Sequence, residues 1–295
     1  MSGTVADLLA RAERPLVSFE FFPPADDRAE AQLWQTLEEL IPLRPDFVSV
    51  TYGANGSGRE RTLGVTKRLA ATTQRTMGHL TCVGQSAAAI GAVVDAYAEH
   101  GVRHILAIRG DMPGGPAVPW VPHPLGPANA TQLVGLIRDR GDFCVGVGAF
   151  PDPHPSRHDP ALDARLLKEK WLAGASFAIT QLFFSVRAYV ELVDRVRSIG
   201  CDIPVIAGLM PITQLSQVQR FAELSGAAIP APVRERLEAR AGDPAAVRAT
   251  GIAVATELAQ HLVAAGAPGL HFFTQNRSRA TLAIWENLRA AHTVQ

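Results

Sequence analysis

Short apolar runs recur along the chain, and between them apolar positions fall three and four residues apart, so strand-like and helix-like periods alternate from end to end. The first clear run is Val17-Ser18-Phe19-Glu20-Phe21-Phe22, stopped by Pro23 and Pro24. Its alternation puts Ser18, Glu20 and Phe22 on one face and Phe19 and Phe21 on the other. Arg28 to Ile41 then carries Leu33, Leu37, Leu40 and Ile41 at helical spacing, closed by Pro42 and Pro45. The same alternation predicts strands over Asp46–Tyr52, Thr76–Thr81, His104–Arg109, Phe143–Phe150, Phe177–Phe183, Pro204–Leu209 and Leu270–Thr274. Between them it predicts helices near Glu60–Thr73, Ser86–His100, Ala130–Arg140, Ala161–Ala173, Val186–Ser198 and Arg277–Ala291. Two or three helices fill Thr213–Ala265, where Pro230 and Pro232 break the run. A flexible glycine loop is expected over Gly53–Gly58. Two long proline-punctuated loops, Met112–Pro127 and Pro151–Pro160, follow the fourth and fifth strands.

Eight short strands alternating with helices point to an α/β fold, a (β/α)8 barrel forming one domain over residues 1–295, with extra helices before the last strand. A doubly wound sheet is the runner-up. Its glycine fingerprint is missing after the first strand, where Pro23-Pro24 stands. Lys+Arg 28 balances Asp+Glu 28, so no global field favours nucleic acid or a membrane surface, and a small molecule is the expected partner. The three cysteines, Cys82, Cys144 and Cys201, lack metal-ligand or disulfide spacing. No metal site is expected. With no apolar segment of signal-peptide or membrane-spanning length, a soluble, cytoplasmic protein is expected.

In such a barrel the chemistry lies at the carboxyl ends of the strands. Those ends carry Glu20, Thr51 with Tyr52, His79, Arg109 with Asp111, Phe150, Gln181, Met210, and Thr274 followed by Asn276 and Arg277. Polar and ionisable groups are thereby gathered at one mouth. Glu20 is the leading candidate, because a carboxyl sharing a strand face with Phe22 in apolar surroundings holds its proton to higher pH and can act as an acid. Alternatively, Glu20 is a solvated strand-end carboxylate.

The motifs Ser18-Phe-Glu-Phe-Phe-Pro-Pro24, Phe47-Val-Ser-Val-Thr-Tyr-Gly-Ala-Asn55, His79-Leu-Thr81, Arg109-Gly-Asp111, His154-Pro155, Ile179-Thr-Gln-Leu-Phe-Phe184 and His271-Phe-Phe-Thr-Gln-Asn-Arg277 occur in one order over nearly the whole chain. They resemble the 5,10-methylenetetrahydrofolate reductase family of bacterial type. The resemblance implies reduction of methylenetetrahydrofolate to 5-methyltetrahydrofolate with NADH, usually through FAD. It implies that Glu20 protonates the folate nitrogen that leaves as the ring opens, and that Asp111 binds the pterin and stabilises the developing cation. Gln181, Gln217, Phe221 and Arg277 match substrate contacts, although Phe221 reads equally as core and Arg277 as a surface cation at a helix start. Gln181 also matches a nicotinamide contact.

The residues matching the family's cofactor site are Thr51, Tyr52, His79, Arg109, Gly110, Asp111, Ala130, Phe150, His154, Asp163, Lys170 and Gln181. Four positions depart from its pattern: Phe150 replaces a tyrosine, Arg157 a small residue, Leu166 an asparagine and Glu169 an arginine. Arg157 is expected to fill cofactor space. Glu169, if turned inward about 4 Å from a diphosphate at an effective dielectric of about 20, would cost about 4 kcal/mol; alternatively it faces solvent on its helix. FAD binding is therefore expected to be weak or absent. Two further functions stay open: a non-redox barrel lyase or aldolase using Glu20 as base, and a non-catalytic folate-binding protein.

Overall fold

The computed structural model describes residues 3–52, 56–73, 75–291 and 294, so Gly53, Ala54 and Asn55 of the expected glycine loop lie outside the described residues. Eight parallel strands pair in chain order and close on themselves: β1 (Leu16–Phe21), β2 (Phe47–Val50), β3 (Thr76–Thr81), β4 (His104–Ile108), β5 (Cys144–Ala149), β6 (Phe177–Thr180), β7 (Val205–Leu209) and β8 (Gly269–Phe273). Closure comes from β8 lying beside β1, where Ser18 pairs with His271 and Glu20 with Phe273.

Helices α1 (Val5–Arg11), α2 (Asp27–Leu40), α3 (Gly56–Ala70), α4 (Ala87–Glu99), α5 (Ala130–Arg138), α6 (Pro160–Leu172), α7 (Val186–Ser198), α8 (Leu215–Ser225), α9 (Ala231–Glu238), α10 (Pro244–Ala264) and α11 (Ser278–Ala290) complete the α/β pattern. Many begin where a short polar side chain satisfies an otherwise orphaned backbone N–H. Asp26, Ser86, Asn129, Asp159 and Asp243 do so for α2, α4, α5, α6 and α10, and Pro160 and Pro244 pre-set the first helical turn of the last two. The backbone of Gly56, expected in a loop, already belongs to α3.

The strand period of two sorts side chains into two populations. Outward-facing residues such as Phe19, Phe21, Val48, Val50, Ile105, Ala107, Val145, Val147, Leu270 and Phe272 form the main core under the helices. Inward-facing Leu16, Phe47, Met77, Leu106, Cys144, Phe177, Ile179 and Ile206 form an apolar floor inside the barrel, plugged from below by Val5 of α1. Val5 N donates to His104 Nε2 at 3.2 Å, which fastens the plug. A third apolar cluster joins the three extra helices α8, α9 and α10 to Leu182, Phe184, Met210 and Ile212. Above the floor the inward positions turn polar: Ser18, Ser49, His79 and His271 are all buried.

Two expectations are corrected by this arrangement. The sixth strand stops at Thr180, and Gln181 begins the loop, although its N–H still donates to Ala149 O at 2.7 Å. Phe22 lies past the end of β1 and is 37% exposed, so it does not line Glu20's surroundings. Among the described residues no helix is long and apolar enough to cross a membrane, and no group of three His, Cys, Asp or Glu residues could hold a metal ion.

Candidate active site

Glu20 is the penultimate residue of β1 and points into the barrel, where it is 7% exposed. Burying a carboxyl is costly without partners; the His271 imidazole supplies one within hydrogen-bond distance, and the His79 imidazole lies just beyond it. Glu20 Oε2 lies 3.3 Å from His271 Nε2 and 3.6 Å from His79 Nε2. His271 is held in turn by Ser18, whose Oγ is 2.7 Å from Nδ1, by Ser49, whose Oγ is 3.4 Å from Nε2, and by Phe47 stacked on its ring. Burial pushes the His79 imidazole down to about 4, with the Glu20 charge opposing, so His79 is neutral at pH 7. Among the described residues its Nε2 has no hydrogen-bond partner although it is buried. Two imidazoles thus gather at one oxygen of Glu20, in place of the aromatic ring expected from Phe22.

At the carboxyl ends of β4, β5 and β6 a cavity of about 170 Å³ opens, and Glu20, His79 and His271 do not line it. Its lining includes Arg109, Gly110, Asp111, Ala130, Phe150, His154, Asp163, Lys170 and Gln181, nine residues singled out from the sequence. Among the described residues nothing lies within 4 Å of where a Cβ on Gly148 would project into this wall, so the absent side chain leaves that space open. Gly110 is needed for its turn: its φ is +79°, and a Cβ there would meet Val83 Cγ1 at 2.7 Å. That turn presents Asp111, which is half-exposed and lies 3.4 Å from Arg109 Nη2. The Arg109 guanidinium also sits 4.9 Å from the Trp120 ring centroid, so the long loop packs on the site through its tryptophan.

The far wall is an ion-pair system. Asp163, at the start of α6, accepts from Arg157 Nη2 at 2.6 Å and Nε at 2.8 Å on one oxygen, and from His154 N at 2.8 Å on the other. Arg157 lies over the Phe150 ring at 5.8 Å. Lys170 donates to Gly148 O at 2.6 Å, and burial, then the Arg157 charge, brings its ammonium down to about 8. Burial and the charges of Arg157 and Arg109 likewise push His154 down to about 4. Leu166 lines the cavity, whereas Glu169 is exposed on α6 and is not part of the lining. Of the two readings of Glu169 the solvent-facing one holds, and the change that reaches the cavity as a charge is Arg157.

The remaining residues singled out from the sequence lie around the mouth without lining the cavity. Thr51 and Tyr52 follow β2, and the Tyr52 hydroxyl donates to Gln85 Oε1 at 3.1 Å. Gln217 and Phe221 stand on α8; Gln217 donates to Gln275 Oε1 and accepts from Thr213 Oγ1 at 3.0 Å, and Phe221 packs against the third apolar cluster. Arg277 caps α11 and is exposed. Sequence reasoning gave no role to His271 as the partner of Glu20 or to Ser18 as the partner of His271, nor to Leu224 and Ser225, which line the cavity from α8. The available clue was the strand period, since Ser18 shares the inward face with Glu20.

Comparison with known proteins follows the same outline. Residues 5–289 match the family described as methylenetetrahydrofolate reductase. The chain is 35% identical over 289 residues to 5,10-methylenetetrahydrofolate reductase of Pectobacterium carotovorum, covering 98% of this chain and 94% of that one. It is 36% identical over 273 residues to the enzyme of that name from Escherichia coli, covering 92% and 90%. Among solved structures, a Clostridium thermocellum protein described as binding two copies of 5-methyl-5,6,7,8-tetrahydrofolic acid shares the fold with a TM-score of 0.65 at 14% identity, over 96% of this chain and 99% of that one.

Proposed function

The chain belongs to the methylenetetrahydrofolate reductase family, a family of oxidoreductases, and from that premise we propose that Glu20 is the acid of a reduction in which NADH hands its hydride directly to the folate. The observation that carries the assignment is the carboxyl of Glu20, 7% exposed at the carboxyl mouth of the barrel and set between the imidazoles of His79 and His271. In this reaction the bond from the bridging methylene of 5,10-methylenetetrahydrofolate to N10 breaks, and Glu20 delivers its proton to that nitrogen. The bonding pair leaves with N10, and the lone pair of N5 closes onto the methylene carbon to form an exocyclic iminium. Hydride from NADH adds to that carbon, giving 5-methyltetrahydrofolate and NAD+, and solvent returns a proton to Glu20. The carboxylate of Asp111 stabilises the cation as it forms, and Gln181 is available to bind either substrate, being exposed at the mouth.

The residues present do not fit a flavin dinucleotide as they are arranged. Arg157 occupies both the carboxylate of Asp163 and the face of Phe150, and the space left is about 170 Å³, whereas ligand clefts of this class run to about 300–1,000 Å³. With Glu169 turned to solvent, this reading rests on Arg157 and Leu166. Direct transfer requires the nicotinamide and the pterin to be bound together in one ternary complex. Oxidation of NADH on adding methylenetetrahydrofolate to the purified protein, with no flavin supplied, tests the proposal. A lyase or a passive folate binder would leave NADH untouched. A yellow protein with stoichiometric FAD that loses activity when stripped of it would overturn direct transfer and leave the reduction standing.

A further inference from the structure

Immediately after β8 the chain makes a turn whose backbone is strained at two successive residues. Gln275 has φ +54° and Asn276 φ +53°, a region that L side chains avoid and that asparagine tolerates better than most. The hydrogen bonds that hold this turn converge on the strand end carrying Glu20. Thr274 Oγ1 donates to the backbone oxygen of Glu20 at 2.6 Å and accepts from Asn276 N at 3.2 Å. Asn276 grips the next residue but one on both sides: its Oδ1 accepts from Phe22 N at 2.9 Å and its Nδ2 donates to Phe22 O at 2.9 Å. The backbone oxygen of Asn276 is itself tied to α2 by Thr36 Oγ1 at 2.8 Å.

These contacts begin where the β1–β8 pairing ends, at Glu20 opposite Phe273. Past that rung the β8 edge of β1 has no further ladder bond, while the β2 edge continues through Phe21 opposite Val50 and Thr51 N donating to Phe21 O at 2.9 Å, so the clamp supplies the hold on the β8 side. Thr274 is 3% exposed, so its hydroxyl is committed to this task rather than to solvent. A glycine at position 276 would accept the backbone conformation more readily, yet it could not make the clamp. The side chain is what the strain retains, and strain of this kind persists at sites where the surroundings over-determine the geometry.

We propose that Thr274 and Asn276 are positioning residues that fix the direction in which the Glu20 carboxyl is presented to the leaving nitrogen of the folate. The proposal rests on Glu20 being the acid. Proton delivery needs the carboxyl within hydrogen-bond reach and in line, so loss of the clamp slows that step and leaves substrate binding intact.

The test compares Glu20→Gln, Asn276→Gly, Thr274→Val and Thr274→Ser as full-length proteins, with folding checked by circular dichroism. Asn276→Gly is expected to fold, because glycine suits the backbone there, and to lower kcat about 10- to 100-fold while the folate KM stays within about twofold. Proton transfer then limits turnover, so the solvent deuterium isotope effect on kcat rises above that of the unmodified enzyme. Thr274→Val is expected to act in the same direction, and Thr274→Ser, which keeps the hydroxyl, to restore kcat. A purely structural role for the turn would lower the yield of folded protein and leave kcat per folded molecule and its isotope effect unchanged, and that result overturns the proposal. If Thr274→Val does not fold, Asn276→Gly decides. Near-normal turnover of Glu20→Gln would remove the acid role itself, and the positioning role with it. Inactive Glu20→Gln beside a fully active Asn276→Gly would refute the positioning role alone.

Discussion

Replacing Glu20 by glutamine keeps the size of the side chain and removes the proton it gives, so turnover should fall by about a hundredfold or more with the fold and ligand binding preserved. Stopped-flow or steady-state loss of NADH measures this, and a folded Glu20→Gln variant with near-normal turnover would take Glu20 out of the acid role. Arg157→Ala makes an opposite kind of prediction. It frees Asp163 and the Phe150 face together, so flavin affinity should rise by at least about tenfold, read from the visible spectrum of protein titrated with FAD. The place of Glu20 was legible in the sequence, because a carboxylate near the end of a barrel's first strand and on its inward face falls at the carboxyl mouth. Its partners were not, since His271 lies 251 residues away and only barrel closure brings its ring to Glu20. Glu169 shows the complementary failure. Sequence gives a residue's helix but not its azimuth, and on α6 a one-residue difference separates exposed Glu169 from buried Lys170.

At the scale of elements, the turn after β4 shows how little freedom the site's framework has. Gly110→Ala forces a side chain into a left-handed backbone and against Val83, and should destabilise the protein by about 1–3 kcal/mol, measurable as a lower midpoint in urea with an unchanged slope. The strand and helix order was readable throughout, because each buried strand is a short apolar run and the polar caps and prolines mark many of the helix starts. Ends were less readable. β6 stops at Thr180 although the apolar residues Leu182, Phe183 and Phe184 continue beyond it, because those side chains are buried outside the sheet, against the helices. Likewise, the alternation of β1 continues to Phe22 on paper, while Pro23 and the Asn276 clamp turn its side chain outward. Hydrophobicity reports burial, and burial does not distinguish a sheet from what packs around it.

For the whole molecule, three buried imidazoles set the response to acid. Burial, as the leading cause, pushes His79, His104 and His154 down to about 4 from 6.5. Between those values the unfolded chain binds protons that the folded one refuses, so their contribution to stability is complete above pH 6.5 and is lost as the pH falls toward 4. All three act in the same direction in that window, so calorimetry should find Tm changing little from pH 8 to 7 and dropping steeply from pH 6 to 5. His104→Asn should flatten the drop, because one of the three proton uptakes is gone; an unaltered profile would show that His104 is not excluded from titration. A last consequence belongs to the order of the strands. Glu20 is laid down on the first strand and His271 on the eighth, and β1 borders β8 in the finished barrel. A nascent chain that has made every strand but the last therefore owns the acid, the cavity and the floor, yet has no wall behind Glu20 and leaves the edges of β1 and β7 bare. Catalytic competence should arrive in a single late step of synthesis, and a ribosome-arrested chain stopped before Gly269 should be inert and prone to aggregate.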